Sequence, residues 1–137
     1  MLALQLEELL SWTPNVFPNG YAISGSDPSP FAAFDGDPTT MWNSGGWPTQ
    51  WIEGWLWDYT HVSRIALTPF VDRPGQATNH LWARTANGWQ RLSDFAGQWQ
   101  GDGAKLIWTG SVDLNAIHVE TDSGPSWVVW RDIMIYK

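Results

Sequence analysis

Glycine and proline break this chain so often that long helices have no room. From Pro14 onward one or the other recurs at positions 18, 20, 25, 28, 30, 36, 38, 45, 46, 48, 54, 69, 74, 75, 88, 97, 101, 103, 110, 124 and 125. Proline lacks the amide donor a helix interior needs, and glycine loses most entropy there. Between these breaks lie runs rich in β-branched and aromatic residues: Gln50 to Trp57, Val62 to Phe70, His80 to Thr85, Lys105 to Thr109, Ala116 to Glu120 and Trp127 to Tyr136. Each is predicted as a strand. In Ala116 to Glu120, Ile117 and Val119 oppose His118 and Glu120, which predicts one wet face, whereas neither side of Val62 to Phe70 is cleanly polar. Short strands between frequent turns predict an all-β antiparallel sandwich or barrel. No repeat, low-complexity tract or linker divides it, so one domain is expected over 15–137.

Residues 1–14 read differently. Leu2, Leu6, Leu9 and Leu10 line one side of a short helix, while Leu2, Leu4 and Leu6 equally line one face of a strand. So short an element does not hold alone, and its apolar side is expected on the domain or on a neighbouring subunit. No basic residue precedes its apolar part, and Glu7 and Glu8 interrupt it, unlike a signal peptide. Cytoplasmic synthesis is therefore expected. No stretch approaches the roughly 20 apolar residues that cross a bilayer. The formal charge of −7, from 14 acids against 7 scattered bases, repels phosphate backbones and anionic lipid, so neither nucleic acid nor membrane is expected as a partner. Without cysteine there are no disulfides or thiolate metal sites.

The stretch FDGDPTTMWNSGGWPTQWIEGWLW, from Phe34 to Trp57, sets an acidic, hydroxyl-bearing loop against a run of tryptophans. Oxygens gathered at Asp35, Asp37, Thr39 and Thr40 suit a hard cation; they also suit a turn closed by its own polar network. Of the 12 tryptophans, Trp51, Trp55, Trp57, Trp82, Trp108, Trp127 and Trp130 lie in predicted strands, where burial is expected. Trp47 differs, since glycines and a proline hold it in a loop where its face can meet a sugar ring. Trp89 and Trp99 are weaker instances.

From about Asn15 to its end the chain resembles a discoidin domain, the type C domain of coagulation factors, and the related galactose-binding carbohydrate-binding modules. Three segments carry the resemblance: AFDGDPTTMWNS with TQWIEGWL; VSRIALTPF with HLWARTANGWQRL; and LNAIHVETDSGPSWVVWRDIMIYK. It implies an eight-stranded jelly-roll β-sandwich, galactose-binding-like, with a structural calcium ion under the Asp-Gly loop. By the same resemblance Asp35, Asp37, Thr40 and Asp132 supply its ligands, with carbonyls from Ala32 or Ala33 and the last strand completing the shell. Two buried carboxylates side by side need a cation, a base or a shared proton, so the alternative is neutralisation by Arg131 or Arg64.

Sugar-binding members place an arginine right after the proline that ends the middle strand, but Phe70 follows Pro69 here. The loop DRPGQATNH can instead present Arg73, Asn79 and His80 beside Trp47 as a hydrogen-bonding set, or Arg73 is simply a solvated charge. His61, His80 and His118 have no metal-ligand spacing, no nucleophile elbow is present, and no pair of carboxylates stands out. The expectation is thus a non-catalytic, calcium-stabilised lectin-like module that binds a glycan or cell-surface polysaccharide, a virion adhesin of tail or capsid. The alternative is a structural decoration or baseplate subunit, using the sandwich and the N-terminal segment for homo-oligomer or virion contacts.

Overall fold

The computed structural model describes residues 14–37, 39–70, 73–99 and 105–137. The element expected over 1–14 therefore lies outside the described residues, apart from Pro14. Those residues form an almost entirely antiparallel β structure with seven strands: β1 (Gly20–Ile23), β2 (Trp42–Asn43), β3 (Gln50–Pro69), β4 (Gly75–Thr85), β5 (Gly88–Trp99), β6 (Leu106–Ser123) and β7 (Val129–Tyr136). Val16 adds an isolated bridge to Ile135, and one 3₁₀ turn spans Pro30–Ala33.

The long strands are the departure from expectation. Gln50 to Trp57 and Val62 to Phe70 are one strand, as are Lys105 to Thr109 and Ala116 to Glu120, because β3 and β6 pair along most of their length. A bulge between Trp55 and Thr60 re-aims β3 midway. Before it, β3 lies between β1 and β6, and β4 and β5 continue that layer; after it, β3 lies between β6 and β7, and β2 closes the other edge. β5 had no counterpart among the sequence-predicted strands. Its polar Arg91, Ser93 and Asp94 hide it, yet it pairs with β4 throughout.

Ile52, Leu81, Ile117 and Val119 from the first layer meet Ile65, Leu67, Ile133 and Ile135 from the second in one buried cluster. Trp42 and Trp130, directly paired across β2 and β7, are 0% and 1% exposed. Indoles of this kind bury about 150–250 Å² each, an upper estimate of roughly 4–6 kcal/mol apiece. Gly54 is required inside β3: a Cβ there meets Pro18 Cγ at 2.7 Å and the Phe34 ring at 3.0 Å. That close approach lets Phe34, which also touches Tyr21 with ring centroids 5.5 Å apart, pin the Asp-Gly loop to the sandwich.

Tryptophan burial divides otherwise than strand membership predicted. Trp130 is buried, but Trp57 is 86% and Trp127 51% exposed. Trp57 sits at the β3 bulge, where the pleat is broken, and Trp127 precedes β7 rather than lying in it.

Candidate functional site

Three adjacent strands, in the order β2, β7, β3, end together on one side of the sandwich. The chain leaves β2 through Ser44 to Trp47, leaves β3 at Phe70, and enters β7 from Ser126. Backbone bonds tie these segments into one surface: Ser44 N–H to the Val128 carbonyl at 2.9 Å, Val128 N–H to the Gly46 carbonyl at 3.0 Å, and Phe70 N–H to the Val129 carbonyl at 3.1 Å. Between them opens a pocket of about 380 Å³. Its walls are the rings of Trp47, Trp127 and Phe70, with Val129 beside them, and its polar groups come from Asn43, Arg73 and Ser126. Trp47 is 55% exposed.

Of the four sugar-site residues read from sequence, the structure brings Trp47 and Arg73 together and sends the other two elsewhere. The reason is that β4 begins at Gly75, so Asn79 and His80 belong to a strand and not to a loop. Asn79 faces the interior, fully buried, its Oδ1 accepting from the Thr121 hydroxyl at 2.7 Å. His80 faces the opposite side, where Nδ1 meets Asp94 at 2.6 Å and Nε2 meets Asp122 at 3.4 Å. The His80 hydrogen bond, with Arg91 nearby, holds the Asp94 carboxyl below its ordinary range. Trp127, Asn43 and Ser126 were missed. The signal that marked Trp47, a tryptophan held among glycine and proline, is present again in Gly124-Pro125-Ser126-Trp127.

The Asp-Gly loop follows the 3₁₀ turn, which packs against β7, and it concentrates oxygen. Thr40 Oγ1 lies 2.7 Å from Asp35 Oδ2, 3.0 Å from the Asp37 carbonyl and 3.1 Å from the Ala32 carbonyl. A hydroxyl carries one proton, so it satisfies one of these three acceptors fully. Asp37 is turned toward the loop itself, accepting from the Thr39 hydroxyl at 2.7 Å and Thr39 N–H at 2.9 Å, and these bonds lower its pKa. Asp132, opposite Thr68 in the β3–β7 register, is 3% exposed, and its Oδ1 is buried with no hydrogen-bond partner among the described residues. Burial first, and then the neighbouring charge of Asp35, push its pKa up to about 6, against partial relief from Lys105 and Arg131. Lys105 donates to the Thr68 hydroxyl at 3.2 Å.

The charge of Asp35 thus reaches Asp132, and the oxygens of these residues are of the hard type calcium takes, about six to eight at roughly 2.3–2.6 Å. Carbonyls must supply much of such a shell, because among the described residues no three His, Asp or Glu side chains gather at one point.

On the open surface of β3 and β6, Ser111 Oγ lies 3.4 Å from His61 Nε2 and His61 Nδ1 lies 3.0 Å from Asp113. This has the order of a hydrolase triad but not its setting. The His61 and Asp113 side chains are 58% and 74% accessible, so water screens the pair. A triad also acts through a seated substrate and preorganised oxyanion donors, for which a flat, exposed strand surface provides no frame.

No protein-family model matches the sequence, and no curated protein matches it. Solved structures do match in fold. A family 32 carbohydrate-binding module from C. perfringens NanJ, in complex with galactose, superposes with a TM-score of 0.70 at 18% identity over 86% of this chain and 93% of that one. A pectin-binding carbohydrate-binding module gives 0.70 at 20% identity over 90% and 93%. A chitosan-binding module from a Paenibacillus chitosanase/glucanase, in complex with chitotriose, gives 0.68 at 18% identity over 88% and 98%. The chain has the jelly-roll β-sandwich fold of these modules, as the resemblance carried by its three sequence segments implied.

Proposed function

We propose that this chain is a non-catalytic carbohydrate-binding module whose ligand seats between Trp47 and Trp127. The observation that carries this reading is the pocket at the ends of β2, β3 and β7. Two exposed indoles and Phe70 wall a volume of about 380 Å³, with a guanidinium and an amide converging on it. Indole faces match the apolar faces of sugar rings, and a few oriented polar groups supply selectivity. The fold neighbours are complexed with or named for galactose, pectin and chitosan, so the fold leaves the sugar open.

A calcium ion belongs to the same proposal. Asp35, Thr40 and Asp132, with the carbonyls of Ala32 and Asp37, would hold it, and Asp37 would contribute through that carbonyl rather than its side chain. The support is the crowding of acceptors around one Thr40 hydroxyl and the unpartnered oxygen of Asp132. The ion supplies positive charge that locks the loop to β7; the sugar is held by other residues. We also propose a virion or surface adhesin as the setting for such a module.

The competing reading, a structural subunit, has one observation in its favour. Trp57 and Tyr59, 86% and 50% exposed, form a separate aromatic projection on β3, of a kind that subunit contacts cover. A glycan array spanning neutral, amine-bearing and acidic sugars, probed with the parent and with Trp47→Ala, tests the choice. Binding that fails in a folded Trp47→Ala supports recognition. A folded parent that binds no glycan, yet self-associates and loses association on Trp57→Ser, supports the structural role.

A further inference from the structure

Among the described residues, the charge on the pocket lining runs against the chain's. In a protein of formal net charge −7, Arg73 is the sole charged side chain among the described residues that line the pocket, and it is a cation. Behind the Phe70 wall stands another, since the Arg131 guanidinium lies over that ring at 5.3 Å from its centroid. The carboxylate of Asp27, which bonds to Asn43 of the lining, is committed to backbone amides. Its oxygens accept from Ser29 N–H at 2.9 Å and Asn43 N–H at 3.2 Å.

The hydrogen-bonding capacity is equally one-sided. Asn43 Oδ1 accepts from Gly45 N–H at 2.9 Å, which orients the amide and leaves its NH₂ group as the end a ligand can use. Arg73 carries five N–H donors and no acceptor, so it can grip a ligand beside the interaction it already has. Trp47 and Trp127 carry one N–H each and no acceptor. Ser126 is the main side-chain acceptor, and its hydroxyl also donates to the Trp127 carbonyl at 3.4 Å. A donor-rich pocket is poorly matched to a sugar that brings only hydroxyls, each of which donates as well as accepts. It is well matched to one that brings a carboxylate, which only accepts.

Resting on the glycan-binding reading above, we infer that the pocket selects a uronate, a carboxylate-bearing residue of an acidic polysaccharide. Arg73 forks onto the carboxylate, the Asn43 NH₂ group donates to it or to a neighbouring hydroxyl, and Trp47 and Trp127 bracket the ring. Arg73 is thereby the specificity-determining residue, and the tryptophans provide affinity without regard to charge. A planar guanidinium meets a carboxylate through two parallel bonds, which an ammonium cannot reproduce.

The test is titration calorimetry of the full chain with trigalacturonate and with its neutral counterpart, galactotriose, at low and high sodium chloride. The parent is expected to bind the uronate at least about tenfold more tightly, with a preference that shrinks as salt screens the pair. Arg73→Gln should bring the ratio of the two affinities to about one, and Arg73→Lys should retain the salt dependence but recover only part of the uronate preference. Equal or tighter binding of the neutral trisaccharide by the parent overturns this inference and leaves the glycan-binding reading standing. Binding of neither probe, with array glycans also failing, removes both. The salt series on the parent decides the matter even if an Arg73 variant does not fold.

Discussion

Replacing Asp132 with asparagine isolates the charge on which the proposed ion site depends. The side chain is buried, one oxygen has no hydrogen-bond partner among the described residues, and its pKa stands at about 6 against 3.8 in the unfolded chain. That difference of about two units, at roughly 1.4 kcal/mol each, makes the ionised carboxylate cost about 3 kcal/mol of stability when no cation is bound. The sign follows from proton counting. Below about pH 4 both states hold the proton and there is no penalty. Between about pH 4 and 6 the unfolded chain releases it while the folded chain keeps it, so stability falls as pH rises. Above about pH 6 the penalty is complete. In a chelator at about pH 7.5, Asp132→Asn is therefore expected to be more stable than the parent by up to about 3 kcal/mol, on the order of 10 °C in Tm for a chain of this size. At about pH 4 the two should converge. Calcium at about a thousand times its Kd reverses the ranking, because the bound ion then adds about 4.1 kcal/mol to the parent and little to the variant. Thermal unfolding followed by tryptophan fluorescence, at both pH values with chelator and with calcium, reads all of this. A variant less stable than the parent in chelator at about pH 7.5, with an unchanged pH slope, would refute the reasoning. Asp132 would then be an ordinary partner of Lys105 or Arg131.

Asp35→Ala should lower Tm in calcium by several degrees while leaving glycan affinity within about twofold, since the ion braces the loop and the sugar sits elsewhere; equal melting curves in calcium count against the metal assignment. Trp47→Ala and Trp127→Ala should each weaken glycan binding about tenfold or more with Tm nearly unchanged, as expected for exposed rings, measured by calorimetry and thermal unfolding on the same samples. Gly54→Ala should cost about 1–3 kcal/mol in urea unfolding, because the added methyl group meets Pro18 and the Phe34 ring at 2.7 and 3.0 Å; a neutral substitution would mean that Phe34 yields freely and does not pin the loop.

The all-β class was legible because turn residues are local signals, and Gly and Pro mark strand ends wherever they fall. The continuity of β3 and β6 was not, since a bulge such as that between Trp55 and Thr60 looks from sequence like a gap between two strands. β5 escaped because Arg91, Ser93 and Asp94 carry no apolar alternation, and an edge strand needs only a partner for its backbone. At the candidate site Trp47 and Arg73 were legible as loop residues, whereas Asn79 and His80 were misplaced by extending that loop into β4. Trp127 was obscured by neighbours that favour strand formation, although the glycine and proline before it mirror those around Trp47. The juxtaposition of Asp35 with Asp132 was carried by resemblance, because no local pattern joins residues at opposite ends of a sequence.

The pocket's contacting side chains sit just beyond the ends of three neighbouring strands, while the hydrogen bonds that define its floor run between main-chain atoms. Identity and scaffold are therefore separable. A library that randomises only positions 47, 73, 126 and 127 should return folded proteins with altered sugar preferences, so that one framework could serve as a family of interchangeable glycan reagents.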